Sequence, residues 1–553
     1  MSSRGGPAGS VRGALADAAA ATVTAAVALV VFGGVLLVAG LATAVTTAVL
    51  GAAAVLVLRR PVDGVTAVVA IVVVLLLWPS GQRISGLGAA GAPVVVLGSL
   101  AACWWGVSVL RRDGWVCQVP VRLYAVLGAF VASLLLSYVA ANVRPDLVLV
   151  ELDAADRGAV TFLSCVAVAL LVAGVLSTDD RLHVVVRALV ISGAGAALLG
   201  VVTFFTGWDP VADLTLPGFT PLVSDWDNNR SGFARMSATT AHPIEYSVVM
   251  AMVLPFAIHL ALRSQGRARG LWWTAVVLIA AVLPMTVSRT AVLGLAAVGM
   301  VLLPSWSPRR RVQMLLAAAV GVVCMRLLVP GLVGTIRSLF TSAGEDPSVS
   351  ARTDDYDYAF GFLVEHPVLG RGYSTFVPGR YTFLDNEFLM TAVTGGVLGL
   401  VVLLLLFAVP FGMAYKVAVG GVQPERRDLA FAVMASLLAF IVTAATYDAM
   451  SFSTARGLFF VCVGLAGALW AVQEGRAGSE RAAGRSLQGR SSRSTHERLV
   501  PHLEAEQGPD AHLLVGPAAL VPVEDVADRN GVERGADERR GPRQPIPGHV
   551  SQA

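Results

Sequence analysis

Ser288-Arg289 interrupts an apolar stretch that runs from Leu271 to Pro304. A guanidinium in such company needs a partner or a purpose. Arginine stays charged in a low dielectric and grips phosphate oxygens through a planar fork of N–H donors, so the chemistry it offers here is anion binding. Arg235 and Arg352 are placed similarly, near the ends of helical patterns, with Arg371 and Arg380 as lesser candidates. Four acid–base side chains accompany them: His242, Glu245, Asp385 and Glu387. His242 precedes Pro243, which suits the first turn of a helix, and a helix start aimed at this surface offers N–H groups to an anion. Each arginine taken alone is equally well read as a carboxylate's partner or as a side chain snorkelling to an interface. Three together, on segments that share one face, point to an anionic ligand such as a pyrophosphate at the headgroup level.

The elements that must hold these residues are membrane spans. The chain has 553 residues, 56% hydrophobic and 14% charged, with a mean hydropathy of +0.71. Soluble domains carry about 45–50% apolar and about 25% charged residues. The excess arrives in runs of roughly 17–22 residues, the length that crosses ~30 Å of hydrocarbon. This composition excludes a soluble protein and predicts an all-α, polytopic integral membrane protein with about 12–14 transmembrane helices. Fourteen spans are expected, near 21–38, 42–58, 62–79, 93–110, 121–140, 158–176, 185–206, 243–262, 271–287, 289–305, 312–331, 386–412, 429–446 and 456–473. Ser288-Arg289 then falls between the ninth and the tenth. The five cysteines form no C-x-x-C pair and suggest neither a disulfide framework nor a zinc site. The first apolar run is full length and reads as a retained span rather than a cleaved leader.

Charge sets the orientation. Arg59-Arg60, Arg111-Arg112, Arg181, Arg187, Arg263, Arg267, Arg269, Arg309 to Arg311, Lys416 and Arg426-Arg427 all follow even-numbered spans. The positive-inside rule therefore puts both termini in the cytoplasm of a multi-pass cytoplasmic-membrane protein. The two longest loops, about 207–242 and 332–385, fall on the outer face with Arg289. Residues 1–20 are expected to be a cytoplasmic segment, 21–473 the transmembrane domain and 474–553 a disordered cytoplasmic tail of mixed charge.

The first outer loop holds Trp208, Phe219, Trp226 and Phe233, which either stack on sugars or anchor the loop among headgroups. In the second, Tyr356, Ala359, Phe360 and Leu363 recur at helical spacing, predicting an amphipathic helix near 351–364. Asp355-Tyr356-Asp357 looks like a metal-holding carboxylate pair, but aspartates also begin helices because they suit the positive dipole end. The dipole explanation is adopted, and no metal or other cofactor is expected.

These residues resemble the O-antigen ligase and Wzy-type O-antigen polymerase superfamily, over about 232–405. The likeness has four parts: Arg235 followed by His242-Pro243; the Ser288-Arg289 step between two spans; a loop helix beginning at Arg352 and closing on HPVLGRG; and Asp385-Asn386 entering the next span ahead of Gly396-Val397-Leu398-Gly399. Histidine is the ligase habit where this chain has Asp385, which tilts the likeness toward polymerases.

The resemblance implies a helical fold of the lipid-dependent glycosyltransferase (GT-C-like) kind, a polyprenyl-pyrophosphate-linked glycan donor, a glycan acceptor, no metal and no nucleic-acid partner. In that chemistry Arg289 would bind the departing pyrophosphate, assisted by Arg235 and Arg352. Asp385, then His242, then Glu387 would be the candidate general bases. The loop helix would act as a lid. The rival is a transporter or flippase of lipid-linked oligosaccharides, which favours ionisable groups near the midplane rather than gathered at one face.

Overall fold

The computed structural model describes residues 64–497, apart from 86–90, 112–117, 212, 215, 222–228, 231–232, 342–346 and 422. The chain divides into Met1–Ala483, which holds the helical bundle, and Gly484–Ala553, described only as far as Glu497. The bundle begins with α1 (Gly64–Leu77), the short strand β1 (Gln82–Ile84), α2 (Pro93–Arg111), α3 (Val121–Asn142), α4 (Leu149–Val175) and α5 (Asp179–Thr206). Three short strands follow, β2 (Phe219–Pro221), β3 (Asn229–Arg230) and β4 (Phe233–Ala234). Then come α6 (Pro243–Arg263), α7 (Gly266–Met285), α8 (Arg289–Ser305), α9 (Pro308–Leu328), α10 (Leu332–Thr341) and α11 (Pro347–Glu365). The last are α12 (Glu387–Val419), α13 (Pro424–Thr443) and α14 (Ser453–Glu497).

The protein is an all-α polytopic membrane protein. Nine helices among the described residues are long and apolar enough to cross a bilayer, and α1 and α8 are apolar but shorter. Every expected span from 62–79 onward falls on one helix. The first two expected spans, the segment 1–20 and the tail beyond 497 lie outside the described residues. The last helix continues past the expected end of its span at 473, to Glu497. Exposed apolar rows such as Leu315, Leu316, Val320, Val323 and Leu327 on α9 are what a lipid-facing helix requires. The innermost helices, α6 and the first part of α14, are enclosed by others along most of their length. Small residues let them approach: at Gly464 on α14 a Cβ would strike Val172 and the Ala169 carbonyl of α4, the kind of close contact that membrane helices favour.

Helix α12 is not continuous. Gly396 takes φ 65, ψ −165, a conformation essentially reserved for glycine, and the gap is filled by the turn after α11. Arg371 N donates to Val393 O and Gly372 N to Thr394 O, both at 2.9 Å, while Val397 N donates to Pro367 O at 2.9 Å and Leu398 N to Val368 O at 3.2 Å. A Cβ on Gly370 or Gly396 would collide with the opposing backbone, of Thr394–Gly395 and of Val368 respectively. The sequence elements HPVLGRG and Gly396-Val397-Leu398-Gly399 are therefore two halves of one joint. Irregular backbone at membrane depth survives only where other groups satisfy it, and here the turn does so.

The loop helix α11 begins at Pro347, four residues before Ala351, where the expected helix starts. Asp355 and Asp357 consequently lie beyond the first turn, where the dipole effect has faded, and Asp355 is buried. The buried face is also displaced: Ala359 packs with Phe376 and Leu384, and Phe362 joins them. Tyr356 and Phe360 instead form an exposed stripe with Val364.

Gly396→Ala forces a Cβ into the joint, at a backbone geometry that costs about 1–3 kcal/mol for an L-residue. The expected outcome is a lower melting temperature in detergent and loss of most of the monodisperse protein. Gly412→Ala, in the same helix with open space around it, should leave both unchanged. A Gly396→Ala protein as stable as that control would mean the break is dispensable.

Candidate functional site

The connections after α1, α3, α5, α11 and α13 meet at one end of the bundle. Ser80 N donates to Thr239 O at 2.8 Å, Thr239 Oγ1 donates to Leu76 O at 2.7 Å, and β1 pairs antiparallel with β2. These bonds join the segment after α1 to the first long loop. The second long loop is held by an ionic network. Tyr381 Oη donates to Glu151 at 2.5 Å, Arg380 Nε lies 2.9 Å from the same oxygen, and Arg144 holds the other at 2.6 Å. Arg371 is 2.8 Å from Asp146. Arg371 and Arg380 thus serve the fold, through carboxylate partners. Between these segments lies a cavity of about 1120 Å³, lined among others by Arg83, Arg157, Ser374, Glu387, Asp448 and Arg456.

Ser288 caps α8, its Oγ accepting from Thr290 N at 3.2 Å, and Arg289 is the first residue of the helix. A cation at the positive end of a helix is unfavourable by roughly 0.3–1 kcal/mol, and an anion there reverses the sign. Arg235 reaches the same junction: its Nε donates to Thr286 O at 3.1 Å. Arg235 and Arg289 are therefore brought to one place. Arg352 belongs to α11, but its side chain lies outside the described residues, and so does Trp226. Of the other loop aromatics, Phe219 packs on Trp78 with ring centroids 5.1 Å apart, and Trp208 Nε1 donates to Asp213.

The candidate bases differ in what they have left to offer. His242 caps α6, its Nδ1 accepting from Ile244 N at 3.1 Å, which uses the ring's basic lone pair and puts the proton on Nε2. Burial and the nearby Arg235 charge push its pKa down to about 4. At neutral pH it is a hydrogen-bond donor rather than a proton acceptor. Glu387 is buried, one oxygen accepting from Thr391 Oγ1 at 2.8 Å and the other from Met450 N at 2.7 Å. Glu245 acts alike, accepting from Ala241 N and, at the start of α14, from Thr454 N and Ala455 N. Asn386 caps α12 through Phe388 N at 2.9 Å. Asp385, beside it, is half-buried.

Sequence reasoning missed Asp448 and the arginines Arg83, Arg157 and Arg456. Burial, with the charges of Glu387 and Asp385, pushes Asp448 up to about 7 against a hydrogen bond from Ser451. A signal for Arg83 and Arg157 existed: both are isolated basic residues on the face where basic residues are sparse, the criterion that singled out Arg289. Backbone strain marks the same region. The non-glycine residues with positive φ among those described are Ala238 (46°), Val287 (49°) and Ser374 (64°). Ala238 and Ser374 line the cavity, and Val287 precedes Ser288-Arg289. Such strain costs of order 1–3 kcal/mol each and gathers at functional sites.

No curated protein matches the chain. Residues 274–404, from within α7 to the middle of α12, match the family model described as O-antigen ligase. The match covers Ser288-Arg289, α11 with its turn, and Asp385-Asn386 with the glycines of the α12 break. Arg235 and His242-Pro243 lie just before it. Over this region, less than half of the chain, the protein is similar to the O-antigen ligase family, which supports the resemblance to the O-antigen ligase and Wzy-type polymerase superfamily.

Proposed function

We propose that this protein is a membrane glycosyltransferase that transfers or polymerises a polyprenyl-pyrophosphate-linked glycan on the outer face of the cytoplasmic membrane, in cell-surface polysaccharide synthesis. The observation that carries the reading is the O-antigen ligase match over residues 274–404, on a chain whose strained loops enclose a cavity bearing both arginines and carboxylates. A flippase reading gains no specific support.

In the reaction, the acceptor hydroxyl oxygen forms a bond to the donor's anomeric carbon as the bond from that carbon to the pyrophosphate oxygen breaks. The hydroxyl proton passes to a carboxylate, and polyprenyl pyrophosphate departs. Arg289, with the N–H groups at the α8 start and with Arg235 beside it, receives the charge that develops on the leaving group. Arg352 assists from α11. His242 donates its Nε2–H rather than taking a proton. The base is Asp385 acting with Asp448, which faces the cavity and holds a pKa suited to proton transfer near neutrality. Glu387 positions this pair by clamping the loop that carries Asp448. Helix α11, with its exposed stripe of Tyr356, Phe360 and Val364, closes over the substrates as a lid and limits hydrolysis.

Cells lacking the protein, or carrying Arg289→Ala, are expected to accumulate lipid-linked donor in mass spectra of polyprenyl-pyrophosphate glycans. Single repeats would indicate a polymerase and finished chains a ligase. Removing one donor aimed at developing charge costs ~10²–10³-fold in rate. Arg289→Lys stays impaired, because a point charge does not replace the bidentate fork. An unchanged donor pool in both strains would overturn the glycosyltransferase reading.

The carboxylate pair makes a second prediction, with a definite sign. A base must be deprotonated, so activity should rise with pH through about 7, where Asp448 titrates, and fall below it. Asp448→Asn should remove this step along with most of the rate. A pH–rate profile identical to wild type in Asp448→Asn would exclude Asp448 from the chemistry.

A further inference from the structure

Arg83, Arg157 and Arg456 come from three separate elements, β1, α4 and the start of α14, yet line the same cavity. Arg83 and Arg157 do so without counter-charges of their own, while Arg456 lies near the buried Glu245 and Glu387 carboxylates. Neither Arg83 nor Arg157 makes an ion pair with any described residue, and Arg83 Nε and Arg456 Nε are buried without a hydrogen-bond partner. Arg456 donates one N–H to Met450 O and lies over the Phe162 ring, 5.4 Å from its centroid. The cavity's carboxylates are engaged elsewhere. Asp209 accepts from Val211 N, and Glu387 uses both oxygens on Thr391 and Met450. Asp448 is half-neutral near pH 7, its pKa being about 7.

Three guanidinium groups facing one space repel each other. Burial first, then the charges of Arg157 and Arg456, hold the Arg83 guanidinium below its usual range. Buried charges are retained in proteins when something pairs them. Arg83 and Arg157 are partly rather than fully buried, and since no described residue pairs with either, an anionic ligand is the partner their place in the cavity suits. Planar forks with open N–H groups select a multiply charged oxyanion, and phosphate groups match that geometry.

We propose that Arg83, Arg157 and Arg456 form a second anion-binding site, apart from Arg235 and Arg289, that takes the phosphate or pyrophosphate group of a substrate entering the cavity. The assignment to a substrate rests on the glycan-transfer reading. With the donor's pyrophosphate at Arg289, this trio receives the phosphate-bearing end of the acceptor, so both substrates are phosphorylated. The same chemistry would also suit a phospholipid headgroup, which the test separates.

The test uses the full chain in nanodiscs of zwitterionic phosphatidylcholine, titrated calorimetrically with inorganic pyrophosphate. Arg83→Gln combined with Arg157→Gln should lose one of two binding events, or weaken binding by about tenfold or more, as expected for lost charge-assisted hydrogen bonds. Arg289→Ala should remove the other event. Unchanged affinity and stoichiometry in the double variant overturn the site. Should that variant melt early, Arg157→Gln alone decides, because Arg157 is half-exposed on its helix: weaker binding supports the site and equal binding overturns it. Repeating the titration in phosphatidylglycerol nanodiscs separates the sources. Undiminished binding supports a substrate phosphate, and competition by the lipid overturns the substrate assignment. Donor accumulation in Arg289→Ala cells, together with unchanged pyrophosphate binding by the variant combining Arg83→Gln and Arg157→Gln, removes this site alone. Lost binding without accumulation keeps the site and removes the transfer reading.

Discussion

The joint between the 366–372 turn and the break in α12 is the constraint on which the rest of the active end depends. A helix that crosses a bilayer ordinarily closes every backbone hydrogen bond within itself. Here Gly396 opens the ladder, and the residues from Pro367 to Gly372 close it from outside with four backbone hydrogen bonds. The two chains approach so closely that glycine is required on both sides, at Gly370 and Gly396. Ser137 of α3 ties into the same place, donating to Thr394 O at 2.8 Å and accepting from Tyr373 N at 3.0 Å. Fixing this turn places the strained Ser374 and the segment leading to Asp385. It also sets where α11 must end.

Helix ends buried in a bundle present a related problem, since their first N–H groups have no intrahelical partner. The chain solves it with carboxylates from neighbouring helices. Glu245 of α6 accepts from the first turn of α14, and Glu387 of α12 accepts from the loop just before that helix. Both oxygens of each accept hydrogen bonds, so these acids organise the site. From sequence they were indistinguishable from Asp385. The difference lies in contacts across 63 to 210 residues of chain, which no local pattern encodes.

Legibility divides along the same line between local and distant contacts. Span positions were readable because hydrophobic length is a local property, and each expected span from 62–79 onward has its helix. His242-Pro243 and Ser288-Arg289 were readable as helix starts because capping is local too. The depth of Asp355 within α11, and the rotation of that helix's buried face, were not. Its apolar residues are numerous enough to support two stripes, and only packing against Phe376 and Leu384 selects between them. Arg83, Arg157 and Asp448 were missed because each stands alone in its own short stretch of chain. Their shared cavity exists only after five connections converge.

The arginines sort themselves once the two ends of the bundle are compared. At the end opposite the cavity, Arg263 Nε meets Asp428 at 2.8 Å, Arg426 meets Asp179 at 2.6 Å, and Arg311 binds the Pro304 and Trp306 carbonyls. Those groups orient and cap helices, and a partner for each is built into the chain. At the cavity end, Arg371 and Arg380 are paired in the same manner and serve the loop. Arg83 and Arg157 differ from these in lining the cavity without an ion pair to any described residue. Burial and the charges of Arg157 and Arg456 hold the partly buried Arg83 guanidinium below its usual range, a repulsion that a bound anion would relieve. On the proposed reading, charge left uncompensated at the cavity is what sets Arg83 and Arg157 apart from arginines such as Arg263 and Arg426 that anchor helices.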